Sequence, residues 1–124
     1  RDRDEADAAK TADNIYYPGY VSDSENKALM RHCRAFLHPA VFEGFGIPPL
    51  EALSQGAKIL LSNASCLPEL YGDTAAYFDP YDYNVDLDAL LAKPVSDPDK
   101  LLKKYSWDNT ARFWLEQFKR YAGQ

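Results

Sequence analysis

Two glutamates, Glu43 and Glu51, stand eight positions apart in "VFEGFGIPPLEALSQG", residues 41–56, with a Gly-Phe-Gly turn and a Pro-Pro pair between them. A carboxylate accepts hydrogen bonds from sugar-type hydroxyls and takes two from vicinal ones. Placed around a tight turn, the pair could grip the two ends of a polyhydroxyl phosphate ester. Gly44 and Gly46 are free to adopt positive φ and let a ligand approach the backbone. The helix expected from Pro48 to Gln55 turns its positive dipole end toward that turn, and Gly56 stops it. Pro48 and Pro49 carry no N–H. The usable donors are therefore the amides of Gly44, Phe45, Gly46 and Ile47, which could hold a phosphate or a sugar hydroxyl. The same residue types also suit plainer roles, with Glu51 complementing the helix dipole and Glu43 capping the turn.

The elements that must position this stretch are legible around it. "NIYYPGYV" (14–21) contains a short β-prone run. Residues 22–33 read as a helix opened by an S-x-x-E capping box, Ser22 to Glu25, with Ala28, Leu29 and Cys33 on one face. "AFLHPA" (35–40) is a short apolar strand, and "AKILLS" (57–62) is a continuous apolar run of the kind a parallel sheet buries on both faces. Residues 65–72 form a turn with one or two helical turns, 75–80 a further strand, and 84–92 and 97–105 short helices. The last helix starts at its N-cap Ser106 and carries an apolar stripe of Trp107, Ala111, Trp114, Leu115, Phe118, Tyr121 and Ala122. Strands alternating with helices predict an α/β fold, a partial Rossmann-like parallel sheet with helices on both sides. Ligands of such sheets bind beyond the carboxyl ends of the strands, which is where the strand at 35–39 delivers Glu43. No GxGxxG or P-loop pattern is present.

Composition narrows the partners. With 124 residues and 46% hydrophobic content the chain can build a real core. A formal charge of -5 and no basic run longer than two residues exclude a nucleic-acid footprint. No apolar stretch approaches the roughly 18 residues a bilayer span requires. Cys33 and Cys66 belong to no CxxC pair and are expected as reduced, buried thiols. Residues 1–13 are charged and polar and read as a lead-in helix tail or disordered segment, with the folded portion at 14–124.

The stretch "EGFGIPPLEALSQG" resembles the E-x7-E motif of the retaining GT-B glycosyltransferases grouped as family 4. The flanks fit too: "GYVSD", then a helix, then "EGFGIPPLEA", "SN", "LPE", "GDTAA" and the closing "YSW" helix. The resemblance covers about residues 14–122. It implies sugar transfer from a nucleotide-diphospho-sugar with retention of anomeric configuration, without a metal or other cofactor. It implies that Glu43 faces the donor sugar as positioner and electrostatic stabiliser. Gly44, Phe45, Gly46 and Ile47 would give backbone contacts to hydroxyls and diphosphate, and Glu51 would bind the ribose. Asn63 would lie in a loop near the donor.

The family's basic pair for the diphosphate comes from an earlier half of this domain, and its acceptor site from a separate N-terminal domain. The chain is thus expected to be the C-terminal donor-binding portion of a larger enzyme and inactive alone. A glycan, lipid-linked or other sugar acceptor would be bound by the missing domain. A cytoplasmic location is expected, peripheral at the inner membrane if that domain anchors it. An uncovered sheet edge is expected to favour self-association.

Other candidates are weaker. His38 sits in the strand beside the motif and is expected to pack rather than react, and His32 to lie on the surface. "DYNVDLDALLAK" (82–93) begins like a calcium loop but has Leu87 and Lys93 where glycine and glutamate are required. A non-catalytic nucleotide-sugar or glycan binder of the same fold is the alternative function. A two-carboxylate hydrolase fits less well, because the turn packs backbone where a scissile bond would lie.

Overall fold

Three short parallel strands carry the fold: β1 (Phe36–His38), β2 (Ile59–Ser62) and β3 (Ala76–Phe78), in the order β1-β2-β3. The computed structural model describes residues 14–123. The lead-in expected at 1–13 lies outside them. The register pairs Phe36 with Ile59 and His38 with Leu61 on one side, and Leu61 with Tyr77 on the other. The helices are α1 (Asp23–His32), α2 (Ile47–Ser54), α3 (Leu67–Tyr71), α4 (Leu87–Ala92), α5 (Asp99–Lys104) and α6 (Trp107–Ala122), with a 3₁₀ turn at Gly72–Thr74. This is the Rossmann-like α/β arrangement expected from the sequence.

Every residue of β2 is buried, as an apolar run without alternation requires in a sheet covered on both faces. Ile59 and Leu61 join Met30, Ala52, Leu53, Leu67 and Tyr71 in the larger core beneath α1, α2 and α3. Leu60 points to the opposite face and packs with Ala76 and Leu90 of α4. That second face is thinly covered, and Leu37 of β1 remains half exposed. Among the described residues β1 and β3 are both edge strands.

Local rules explain the helix boundaries. Ser22 and Glu25 form the complete capping box, and the Ser22 hydrogen bonds hold the Glu25 carboxyl below the usual carboxylate range. Asp86 caps α4 by accepting from the Ala89 amide, so the Asp-rich run at 82–86 starts a helix instead of ringing an ion. Lys58 closes the other end of that helix. Its Nζ donates to the carbonyls of Leu91 (2.6 Å) and Lys93 (2.5 Å), groups that a helix C-terminus leaves unpaired. Replacing Lys58 with methionine keeps the apolar stem and removes the donor. The expected cost is about 2 kcal/mol, read as a lower urea midpoint. An unchanged midpoint would show that the cap contributes nothing.

The structure corrects three expectations here. Residues 14–21 form no strand: Ile15, Tyr16, Tyr17 and Tyr20 are exposed and irregular. Pro18 and Gly19 interrupt the run, and no neighbouring strand among the described residues pairs with it. In α1 the buried residue is Met30, while Leu29 is exposed. The two thiols are free as expected but only half-buried. The stripe read on α6 is present, and no residue of that helix is buried, with Trp107 81% exposed.

Candidate active site

The loops leaving the carboxyl ends of β1 and β2 meet at Glu43. The Ser65 hydroxyl donates to the Glu43 carbonyl at 2.9 Å and accepts from the Glu43 amide at 3.3 Å. The Cys66 thiol donates to the same carbonyl at 3.2 Å. Three residues upstream of this clamp on each segment, the Ser62 hydroxyl on β2 donates to the Ala40 carbonyl, so the two loops are tied twice. Ser65 holds φ at +54°, the left-handed region that non-glycine residues seldom adopt. Its side chain is thereby held against the Glu43 backbone.

The Glu43 carboxylate is fixed separately. His38, the last residue of β1, places Nε2 2.9 Å from Glu43 Oε1. The imidazole also lies nearly parallel to the Phe36 ring, 6.2 Å between centroids. The expectation that His38 packs is therefore half of the finding. It packs, and it also touches Glu43.

Gly46 is the N-cap of α2 with φ +78° and ψ +58°. A Cβ there would stand 2.9 Å from Leu67 Cδ2, so both backbone and space require glycine. The Tyr71 hydroxyl donates to the Gly46 carbonyl from the core, where burial pushes the phenol well above its ordinary range. Burial also raises the neighbouring Tyr77 to about 12. Gly44 differs from expectation. Its φ is not positive, and a Cβ there would meet nothing within 4 Å. Its use is to leave the backbone open on the solvent side.

The helix begins one residue earlier than expected, at Ile47, with Pro48 and Pro49 next in its first turn. No acceptor among the described residues takes a hydrogen bond from the amides of Gly44, Phe45, Gly46 or Ile47. These four donors are thus unpaired among the described residues, with Gly44 and Ile47 exposed, Phe45 partly so and Gly46 buried. Glu51 lies beyond the first turn of α2 and is exposed. It opens onto a groove of about 560 Å³ lined also by Phe45, Ile47, Leu50, Leu102, Tyr105 and Trp107. Phe45 meets Tyr105 edge-to-face at 5.0 Å inside it. Glu43 does not line this groove. The structure thus joins Glu43 to His38, Ser65 and Cys66, and gives Glu51 a separate, mainly apolar surroundings across the same turn.

Sequence reasoning missed Ser65, Cys66 and Tyr71 as supports of the turn. The stretch "SNASCLPELYG" contains them, but nothing local marks a side chain that bonds backbone 22 residues away. No group of three or more His, Cys, Asp or Glu suited to a metal ion occurs among the described residues. No helix among them is long and apolar enough to cross a membrane.

A parallel sheet whose carboxyl edge presents free amides and a clamped carboxylate defines a class that family comparison resolves further. The chain belongs to the glycosyl transferases group 1 family, whose model matches residues 2–109. It is 37% identical over 116 residues to the serotype-specific mannosyltransferase WbdA of Escherichia coli, covering 86% of this chain and 14% of that protein. It is 32% identical to the O-antigen chain mannosyltransferase B of Escherichia coli, covering 85% of this chain and 30% of the relative. It is 31% identical to the MMP alpha-(1->4)-mannosyltransferase of Mycolicibacterium hassiacum, covering 86% of this chain and 26% of the relative. The chain therefore spans a third or less of each of these relatives. No solved structure matches it.

Proposed function

We propose that this chain is the donor-binding part of a retaining, metal-independent glycosyltransferase of family 4 with GT-B architecture. The observation that carries this proposal is the turn at 43–47. Its four unpaired amides and the Glu43 carboxylate sit together at the carboxyl edge of a parallel sheet, where α/β folds bind phosphorylated ligands. The donor is a nucleotide-diphospho-sugar. The relatives named above are mannosyltransferases, which makes mannose the first sugar to try.

In this proposal the amides of Gly44, Phe45, Gly46 and Ile47 bind sugar hydroxyls and the diphosphate. Glu51 accepts hydrogen bonds from the two ribose hydroxyls. An acceptor hydroxyl oxygen bonds to the anomeric carbon on the face that the diphosphate leaves. The carbon–oxygen bond to the diphosphate breaks, and the departing phosphate oxygen takes the hydroxyl proton. Glu43 stabilises the positive charge that develops on the sugar and forms no bond to it.

The acceptor site belongs to an N-terminal domain outside this chain, and an upstream half-domain supplies the charge that neutralises the diphosphate. The bare apolar face of α6 and the open edge at β1 are the surfaces those parts would cover. The test is product analysis with the full-length polypeptide, donor and a mannose-bearing acceptor. The anomeric coupling constant of the product is expected to report the donor's configuration. Inversion would refute the retaining mechanism. Donor binding without transfer to any acceptor would favour the non-catalytic binding module.

A further inference from the structure

We propose that His38 is the positioning residue for Glu43, holding its carboxylate by a hydrogen bond from its Nε2–H. This rests on the transferase function proposed above. A glutamate side chain has three torsions to lose before its charge can be aimed. The clamp from Ser65 and Cys66 fixes only the Glu43 backbone. The remaining freedom is removed by Nε2 of His38, 2.9 Å from Oε1.

His38 is itself held on two sides. Its backbone pairs with Leu61 in the sheet, and its ring lies over Phe36. The side chains retain 17% and 29% of their exposure, so the bond is sheltered without being sealed. A hydrogen bond from the ring aims the carboxylate toward the site where positive charge would develop. Proton placement follows. Nε2 carries the hydrogen and points to Glu43, which assigns the Nε2–H tautomer. No proton is transferred.

The experiment uses the full-length polypeptide and two substitutions. His38→Phe keeps the ring stack and removes the donor. His38→Gln restores an amide donor at similar reach without a titratable ring. His38→Phe is expected to lower kcat at least tenfold with the donor KM within about threefold, and His38→Gln to return kcat to within about threefold of wild type. Equal loss in both, or no loss in His38→Phe, would overturn the proposal. A second measurement needs no turnover. Nitrogen-15 imidazole spectra should show His38 held as the Nε2–H tautomer in the wild type and released to a mixture in Glu43→Ala. A dominant Nδ1–H form in an active enzyme would overturn the pairing alone. A wild type that transfers no sugar yet holds the tautomer would overturn the transferase function, and the catalytic part of this proposal with it.

Discussion

Replacing Glu43 with glutamine is expected to lower kcat of the full-length polypeptide by about 10²–10³, with the donor KM little changed. Glutamine keeps an oxygen for the His38 bond and keeps the backbone clamp from Ser65 and Cys66. What it removes is the negative charge. A group whose charge matters only as the anomeric carbon becomes positive acts on kcat more than on binding. The melting temperature should stay within a few degrees of wild type, because no packing is lost. If turnover falls less than about threefold, Glu43 is a turn residue and the electrostatic role is wrong.

Gly46→Ala is expected to have the largest effect on folding, about 2–4 kcal/mol. Two costs combine there. The left-handed φ of +78° disfavours any Cβ, and that Cβ would press on Leu67 at 2.9 Å. Leu67 is fully buried, so its methyl can yield only by repacking the core around it. The hydrogen bond from Tyr71 to the Gly46 carbonyl would be displaced with it. Gly44→Ala is the control. With ordinary φ and open space it is expected to be neutral or stabilising by up to about 1 kcal/mol. Urea denaturation of the two variants decides the matter, and equal destabilisation would contradict the assigned geometry of the turn.

These contrasts mark where sequence reasoning reaches and where it stops. Periodicity and caps are local, so β1 to β3, the Ser22 capping box and the Ser106 N-cap were all readable from neighbouring residues. The apolar run at 57–62 announced a strand buried on both faces, and β2 is one. The resemblance brought the motif's roles, and the amide argument from Pro48 and Pro49 stood beside it independently. What failed depended on a partner. A β-prone run at 14–21 becomes a strand only if an edge receives it. The stripe on α6 was correctly amphipathic, but a pattern shows a face and not what covers it. Two identical glycines differ by φ, which Gly44 and Gly46 do not reveal in letters. The Ser65 clamp spans 22 residues and depends on the parallel register of β1 and β2. His38 and Glu43 are five apart across a bend, a spacing with no regular element to bring them together.

The most direct test is ligand-observed NMR on the full-length polypeptide with UDP-, GDP- and dTDP-activated sugars, wild type beside Glu51→Ala. Binding of one donor class to the wild type, weakened about tenfold or more in Glu51→Ala, is the expected result. It would place the ribose at Glu51 and identify the nucleotide. Equal binding by both proteins, or binding of no donor in the panel, would contradict the proposal that this turn and helix form a nucleotide-sugar site.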